Sequence, residues 1–350
     1  MGQGNAVMTT AGESLKHHRE ARGLTQAQFA EHLNAALHRS YDRQRISRWE
    51  GGREPVPKIV STFLSSGATE LATSGQGATV LAVANQKGGV GKTTTAVNVS
   101  WLLANEGYRV LLIDADPQGN ATVHLGIDGM KQEKAGTTLY QVLRLEKNVE
   151  DVAQTVGELP LHVVPATITL GEAEIELLTV PYGTMRLKAS LNKEHPDVNV
   201  SARYDFIVID CPPNRGPLTI AALTAAQYVI IPCQTEMLAL VGVPQLLTTI
   251  TQVRRSVNPH LTVFGVLPTM HSQTLQDSES LRLLREQFGE HTRIFSPISR
   301  STVFARAVFE GRSAFEHEPK IVGGDGYREI VGSLIELRQP PAIGGAHAAA

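Results

Sequence analysis

The stretch NQKGGVGKTTT, residues 85–95, combines glycines, lysines and threonines in an order that suits the binding of a phosphate chain. Glycines let the backbone N–H groups curl around an anion, and the start of a following helix adds its positive dipole end. In such a loop Lys92 reaches the β and γ phosphates of a nucleotide, and the Thr93 hydroxyl joins the Mg²⁺ shell. The remaining candidate residues of the loop are Gly88, Gly89, Val90, Gly91 and Thr94. A plain glycine-rich turn is the alternative interpretation.

Carboxylates follow two other apolar runs of the chain. Asp114 and Asp116 close VLLIDAD, and Asp210 closes DFIVID. An aspartate at the carboxyl edge of a buried strand is placed to hold Mg²⁺ through water. By itself, such an aspartate serves equally well as a helix cap or a turn residue.

The segments around these residues alternate between strand and helix patterns. Short apolar runs predict buried strands at TVLAVAN, RVLLID, LHVVPA, DFIVID, YVIIPCQ and LTVFGVL. KTTTAVNVSWLLANEG, closed by Gly107, and SESLRLLREQF have helical patterns between them. The chain therefore has the α/β pattern of a P-loop NTPase with a mostly parallel, doubly wound sheet.

Composition favours an ordinary globular protein of two domains. Hydrophobic residues make up 42% of the 350 residues and charged residues 19%. We predict a small all-α domain at 1–64, a flexible Gly/Ala/Ser/Thr linker at 65–78, the α/β domain at 79–338 and a disordered tail at 339–350. The two cysteines, Cys211 and Cys233, are too few for a zinc or iron-sulfur motif and are expected to be reduced core thiols.

The first 58 residues carry nine Lys/Arg and six Asp/Glu, a net charge of +3 that leaves −5 for the rest of the chain. Within them GLTQAQFAEHL has a helix start signal, because Thr25 and Gln28 match a capping box. Ile46 and Trp49 are predicted to share the buried face of a third helix. Side chains suited to base edges and phosphates are left on the other face, namely Ser40, Arg43, Gln44, Ser47 and Arg48.

Two family resemblances rest on these motifs. KGGVGKTT has an extra lysine, Lys87, and Gln86 stands where the general loop motif has glycine. Four more segments carry the same resemblance: VLLIDADPQGNAT, YDFIVIDCPPN, IPCQTEMLALVGVPQLL and ISRSTVFARA. Together with the loop, they make residues 79–338 resemble the ParA/MinD family of deviant Walker A ATPases, and within it the ParA/Soj partition branch. REARGLTQAQFAEHL and ISRWEGGREP, within residues 11–64, resemble the helix-turn-helix of phage repressors.

The first resemblance implies a slow, Mg²⁺-dependent ATPase that forms a homodimer around ATP and is stimulated by a ParB-like centromere-binding protein. Lys87 would cross the dimer interface and touch the phosphates held by the other subunit, whereas Lys92 serves its own nucleotide. Asp116 would position the attacking water, Asp114 would support the metal site, and Thr93 and Asp210 would hold Mg²⁺. Non-specific DNA binding is implied for surface arginines, here Arg282, Arg285, Arg300 and Arg306. Helix-surface arginines paired with Glu279 and Glu286 are the open alternative.

Other branches of the family fit less well. Two cysteines do not supply the cluster ligands of nitrogenase iron protein, and the C-terminal tyrosine cluster of bacterial tyrosine kinases is absent. The C-terminal stretch REIVGSLIELRQPPAIGGAHAAA breaks at a double proline and lacks the basic and aromatic residues of a membrane-binding helix. We expect a cytoplasmic, nucleoid-associated protein without a membrane partner.

The helix-turn-helix resemblance implies binding to an operator, and hence autoregulation of the protein's own operon. A three-helix protein-interaction module is the alternative for this domain. For the whole chain two other functions stay open. One is a nucleotide-sensing transcriptional repressor, and the other is an ATPase that positions a protein cargo.

Overall fold

The computed structural model describes residues 11–37, 39, 41–66, 77–191, 200–235, 239–272 and 274–338. Packing divides the chain into two compact units, Met1–Gly77 with Asn105–Tyr108 and Ala78–Ala104 with Arg109–Ala350. We call them the helical unit and the α/β unit. The predicted tail, most of the predicted linker and the candidate residue Ser40 lie outside the described residues.

The helical unit contains four helices in its described part: α1 (Ala11–Ala21), α2 (Gln26–Leu37), α3 (Arg43–Glu50) and α4 (Lys58–Ser66). The predicted capping box is confirmed, since the Thr25 amide donates to Gln28 Oε1 (2.9 Å) and the Gln28 amide donates to Thr25 Oγ1 (3.3 Å). Asp42 caps α3 by accepting from the Arg45 amide at 2.7 Å. The third helix thus begins at Arg43, and α4 extends two residues into the predicted linker.

The core of the helical unit forms around the apolar faces of its helices. Ile46 and Trp49 are buried, as predicted, and α4 closes this core with Val60 and Phe63. The remaining buried members include Leu15, Phe29, Ala30, Leu33, Ala36 and Leu37. A fourth helix is needed because the apolar side of three short helices would otherwise face water.

In its described part, the α/β unit is built on a seven-stranded sheet with the order β3-β4-β2-β5-β1-β6-β7. The strands are β1 (Thr79–Val83), β2 (Val110–Asp114), β3 (Gln154–Thr155), β4 (Leu161–Val164), β5 (Phe206–Asp210), β6 (Tyr228–Gln234) and β7 (Thr262–Thr269). All neighbours pair in parallel except β3, which runs antiparallel to β4 at the edge. All six strands predicted from apolar runs are present. The two-residue β3 was missed because it is too short to carry a pattern.

Helices connect the strands and cover the sheet. They are α5 (Lys92–Asn105), α6 (Asn120–His124), α7 (Gly129–Ala135), α8 (Leu139–Leu143), α9 (Val149–Val152), α10 (Leu170–Thr179), α11 (Arg186–Leu191), α12 (Val200–Arg203), α13 (Pro217–Ala225), α14 (Ala239–Ser256), α15 (Leu275–Phe288), α16 (Thr302–Phe309), α17 (Ala314–His317) and α18 (Asp325–Arg338). A 3₁₀ turn, Gly183–Met185, precedes α11.

The strand register brings the chemically important residues to one edge of the sheet. Asp210 at the end of β5 is level with Val83 of β1 on one side and with Asp114 of β2 on the other. Every residue of β2 and β5 is buried, so both aspartates end strands inside the core. The loop after β1 therefore begins beside the buried carboxylate of Asp210, and Asp114 lies one strand further along the same edge.

Two further observations concern the cysteines and the helices. Cys211 and Cys233 are both buried and unpaired, as predicted. Within the described ranges, no helix combines the length and the apolar character that crossing a membrane requires.

Candidate functional site

The phosphate loop joins the end of β1 to the start of α5. Gly89 and Gly91 have φ angles of 72° and 84°, in the left-handed region that side chains with a Cβ avoid. Lys92 is the first residue of α5, so the loop ends where the helix exposes its first N–H groups. A strand, a glycine turn and a helix N-terminus thus occur in the order that anion binding requires.

Lys92 stands where this loop enters α5. Its side chain is buried, with 7% exposed, and Nζ donates to the Lys87 carbonyl oxygen at 2.9 Å. Burial lowers the pKa of Lys92, and the negative charge of Asp210 opposes this effect. The ammonium is therefore bonded to the loop backbone and interacts electrostatically with the buried carboxylate.

Residues from neighbouring strands hold the loop in place. Asn85 accepts a hydrogen bond from the Lys87 amide (3.0 Å) and donates its own amide to the Pro232 carbonyl (2.6 Å). The Thr269 hydroxyl, at the end of β7, donates to the Val90 carbonyl at 2.9 Å. These bonds fix the loop to β6 and β7, which reduces the ordering that phosphate binding would otherwise require.

The second lysine of the loop makes a different contact. Lys87 Nζ donates to Oε1 of Gln234, the last residue of β6, at 2.8 Å. The Gln234 amide nitrogen in turn donates to the Gly89 carbonyl at 3.1 Å. Lys87 and Lys92 thus belong to one loop but are held by different partners.

Asp210 is the buried carboxylate nearest the loop in register. Both of its oxygens are buried, and neither meets a hydrogen-bond donor with good geometry among the described residues. Burial raises the pKa of Asp210 well above its ordinary value, the charge of Asp114 raises it further, and the Thr93 hydroxyl offsets this in part. Such an orphaned carboxylate is costly unless a cation compensates it.

Asp114 is satisfied by protein groups. Its Oδ2 accepts from both the amide (2.8 Å) and the hydroxyl (2.7 Å) of Thr122, and its Oδ1 accepts from the Asp116 amide at 3.3 Å. Burial raises the pKa of Asp114 to about 6, although the Thr122 hydrogen bonds oppose the shift. These bonds suit a residue that supports the site rather than one that reaches into it.

Asp116 follows two residues later and is also mostly buried, with 7% exposed. Its Oδ1 accepts from the Gln118 amide at 3.0 Å, which fixes the carboxylate at the start of the turn after β2. Asp116 therefore has a defined orientation at the same sheet edge as Lys92 and Asp210.

The helical unit presents a polar groove along α3. Arg43, Gln44 and Ser47 are exposed, and Arg48 is half-buried and paired with Glu54 (Nε–Oε1 2.6 Å). These residues, with Gln26, Asp42 and Arg53, line a groove of about 680 Å³. A groove lined by arginine, glutamine and serine offers donors for phosphates and for base edges.

Comparison with known proteins identifies both units. A family profile described as an AAA domain matches residues 78–263, and one described as a helix-turn-helix domain matches residues 11–63. The chromosome partitioning protein ParA of Caulobacter vibrioides is 42% identical over 259 residues, which cover 73% of this chain and 93% of that protein. The chain belongs to the ParA/Soj family. The sporulation initiation inhibitor protein Soj of Bacillus subtilis is 39% identical over 253 residues, covering 72% of this chain and 96% of that protein.

Solved structures share the fold of the α/β unit. A cobyrinic acid a,c-diamide synthase from Mycobacterium smegmatis, solved with a bound ATP analogue and magnesium, is 35% identical and superimposes with a TM-score of 0.61. The match covers 74% of this chain and 95% of that one. Apo McdA from Cyanothece gives a TM-score of 0.65 at 26% identity, over 73% of this chain and 99% of that one.

The arginines predicted to bind DNA in this ParA/Soj chain differ in their surroundings. Arg282 forms ion pairs with Glu279 (2.7 Å) and Glu286 (2.5 Å), as the alternative interpretation of that residue describes. Arg285, Arg300 and Arg306 are exposed. Two carboxylates offset the charge of Arg282, so the other three are the better candidates for phosphate contact.

Several residues of the ParA/Soj site escaped the sequence analysis. Asn85, Gln234 and Thr269 hold the phosphate loop, and Thr122 holds Asp114. Their common signal is position, because Gln234 and Thr269 are the last residues of β6 and β7 and so lie at the carboxyl edge. An uncharged polar residue that ends an apolar run is therefore a candidate site residue, as a charged one is.

A buried ion pair gives a prediction for the helical unit. Glu50 accepts from Arg19 Nε (2.5 Å) and from Gln26 Nε2 (2.9 Å). Burial opposes ionisation of Glu50, but the hydrogen bonds from Arg19 and Gln26 outweigh it, and its pKa lies below 4.5. We expect Glu50→Gln to lower the free energy of unfolding of this unit by about 1–2 kcal/mol at neutral pH. Denaturant unfolding of a Trp101→Phe chain, followed by Trp49 fluorescence, measures it.

The pH dependence has a definite sign. A lowered folded pKa means that the stability from Glu50 is complete above pH 4.5 and is lost as the pH falls through the folded value. The difference between Glu50→Gln and the parent chain should therefore shrink below pH 4.5. Glu54→Gln is the control, because Glu54 pairs with Arg48 at a more exposed position and should cost less than about 0.5 kcal/mol. Equal effects of the two substitutions would contradict the assignment.

Proposed function

We propose that this chain is a DNA-partition ATPase that binds Mg-ATP, dimerises around it and binds DNA non-specifically in that state. The observation that carries the proposal is the arrangement at the sheet edge. Two lysines occupy one phosphate loop, and the buried carboxylate of Asp210, which no described donor reaches with good geometry, interacts electrostatically with the buried ammonium of Lys92. The ParA/Soj relatives support the same function.

The residues present fit a magnesium ion that accompanies the nucleotide. Both carboxylate oxygens of Asp210 are buried and would be stabilised by a cation. The Thr93 hydroxyl partly offsets the raised pKa of the same carboxyl group. Among the described residues, no group of three or more His, Cys, Asp or Glu side chains is arranged to hold a metal. Thr93 and Asp210 would hold the ion with support from Asp114, and the ion would neutralise charge on the phosphates.

The chain's own residues would then divide the work. Lys92 binds the β and γ phosphates from within the subunit, and Lys87 reaches the phosphates of the partner copy. Asp116 orients a water molecule for attack on the terminal phosphate. A carboxylate in this role positions water more than it deprotonates it, so intrinsic turnover is slow and leaves room for stimulation by a ParB-like centromere-binding protein.

DNA would meet the chain in two ways. Arg285, Arg300 and Arg306 supply positive charge for sequence-independent contact with phosphates. The α3 groove of the helical unit supplies the polar side chains that read an operator, which would let the protein repress its own operon. Partition and repression would thus use different surfaces of one chain.

The direct test is binding of the full chain to random-sequence duplex DNA with ATP, with ADP and without nucleotide. Arg43, Gln44 and Ser47 are replaced by alanine in this chain to remove contacts from the helical unit. We expect binding at least about tenfold tighter with ATP than with ADP, weakening steeply with added salt because phosphate contacts release counterions. Fluorescence anisotropy of a labelled duplex measures the affinity.

A matched pair of variants locates the DNA surface. Joint replacement of Arg285, Arg300 and Arg306 by alanine should abolish the ATP-dependent binding. Arg282→Ala should change it little, since Glu279 and Glu286 already neutralise that charge. Equal or absent binding in all nucleotide states would reject the partition function and favour a nucleotide-sensing repressor.

A further inference from the structure

The inference concerns Thr122 of α6 and rests on the proposed function. We propose that Thr122 is a positioning residue for ATP hydrolysis: its hydroxyl fixes the carboxylate of Asp114, and that carboxylate fixes the turn that carries Asp116. The side chains of Thr122 and Asp114 are completely buried. Since α6 begins at Asn120, Thr122 follows the Asp116 turn almost directly in the chain.

The contacts of Thr122 determine the direction of its hydrogen bonds. The amide of Ala166, which follows β4, donates to the Thr122 hydroxyl oxygen at 2.9 Å. A backbone N–H can only donate, so the hydroxyl accepts there and its single proton is left for another acceptor. That acceptor is Asp114 Oδ2, at 2.7 Å, and the Thr122 amide donates to the same oxygen at 2.8 Å. One residue therefore holds this oxygen with two donors.

Holding one oxygen of Asp114 also orients the other. Asp114 Oδ1 accepts from the Asp116 amide at 3.3 Å. The Ala115 amide donates to the Asp210 carbonyl at 2.9 Å, beside the paired strands β2 and β5. The next amide, that of Asp116, meets the Asp114 side chain instead. This hydrogen bond thus ties the start of the Asp116 turn to the end of β2.

Two other hydrogen bonds of Asp116 stay within the turn. Its carbonyl accepts from the Gly119 amide at 2.9 Å, and its Oδ1 accepts from the Gln118 amide at 3.0 Å. These two bonds shape the turn, whereas the bond to Asp114 places it against the sheet. A displacement of about 1 Å at a reacting group can cost about a hundredfold in rate, so a small movement of Asp114 would impair the orientation of the attacking water.

The first test compares Thr122→Val with Thr122→Ser in the full chain. Valine has nearly the shape of threonine without the hydroxyl, and serine keeps the hydroxyl without the methyl group. We expect Thr122→Val to lower kcat for ATP hydrolysis by about tenfold, as the loss of one hydrogen bond to a charged group would, with KM for ATP unchanged within about twofold. Thr122→Ser should keep kcat within about threefold of the parent value because its hydroxyl is retained. Phosphate release measures both constants.

Thr224→Val is the matched control for loss of a buried hydroxyl. Thr224 is also completely buried, and its hydroxyl donates to the Ile220 carbonyl at 2.7 Å within α13. This variant should keep kcat at the parent level. An unchanged kcat in Thr122→Val, or an equal loss in Thr122→Ser, would overturn the proposal, because either result shows that the Thr122 hydroxyl is not responsible.

The second test determines whether Thr122 acts through Asp116. Thr122→Val introduced into the Asp116→Ala chain should leave the residual rate of that chain unchanged within about twofold, because residues that act as a unit are not additive. Single-turnover hydrolysis of radiolabelled ATP, with the protein in excess, measures this residual rate. A further loss of about tenfold in the double variant would overturn the proposal, since the hydroxyl would then act independently of Asp116.

Hydrogen–deuterium exchange separates this inference from the proposed function. Thr122→Val should speed exchange in a peptide that covers residues 115–121 by about fivefold, while β7 exchanges at the parent rate. If the parent chain hydrolyses no ATP, the proposed function fails, and the exchange rates still decide whether Thr122 holds the turn. Unchanged exchange in residues 115–121 overturns the proposal.

A second pair of variants covers the case in which Thr122→Val does not fold by circular dichroism. Thr122→Ala and Thr122→Ser both lack the methyl group and differ only in the hydroxyl. The same differences in kcat and in exchange are expected between these two chains, and equal values in both would overturn the proposal.

Discussion

The Lys87→Ala chain should bind ATP as tightly as the parent chain and yet remain monomeric at ATP concentrations that dimerise the parent. Lys92, the first residue of α5, is untouched by the change and still serves the bound nucleotide. What is lost is an ammonium that stabilises charge on the partner's phosphates, so hydrolysis should fall by about 10²–10³-fold. Sedimentation velocity and phosphate release measure the two losses.

Two matched variants make this result specific. Lys131→Ala removes an exposed lysine of α7 in the same unit and should leave dimerisation and hydrolysis at the parent level. Lys92→Ala should lose nucleotide binding itself, because it removes the ammonium within the loop. A Lys87→Ala chain that dimerises normally with ATP would reject the assigned role of Lys87 across the interface.

Asp116→Ala should give the opposite pattern, with ATP-dependent dimers retained and hydrolysis reduced by about a hundredfold or more. The side chain is 7% exposed, and the Gln118 amide fixes one of its oxygens, so it is suited to orient a water molecule but not to hold the dimer together. Asp116→Asn is the informative control, since its amide oxygen keeps the Gln118 hydrogen bond while the charge is lost. Normal turnover in Asp116→Ala would remove this residue from catalysis.

Mixing the two defective chains tests whether Lys87 acts between subunits. In a mixed dimer, the Lys87→Ala subunit keeps Asp116 and can receive Lys87 from the Asp116→Ala subunit, which completes one site. Neither subunit has both residues, so action within one chain predicts no recovery. We expect the mixture to hydrolyse ATP well above either variant alone.

The strands and the phosphate loop were predictable from the sequence because their signals are local. Each of β1, β2, β4, β5, β6 and β7 is a short apolar run. A strand that is buried on both faces of a sheet contains few polar residues, so its sequence is nearly continuous in apolar ones. The loop glycines, Lys92 and the strand-terminal aspartates also lie within a few residues of such runs. The boundaries of the helices were harder to predict. α3 begins at Arg43 because Asp42 caps it, and α4 follows a proline-containing segment that itself has no strong pattern.

The sequence alone determined which residues could do chemistry, namely the two lysines of the loop, Thr93 and the aspartates after β2 and β5. It also determined that they would gather at one edge, since parallel strands present their carboxyl ends together. Only the tertiary structure decided how each is held. Gln234 meets Lys87 across 147 residues. Thr122 donates two hydrogen bonds to Asp114, whereas no donor among the described residues reaches either oxygen of Asp210 with good geometry. These differences arise from strand order and helix packing. Both bring together residues that are far apart in the sequence, and no local sequence pattern encodes such contacts.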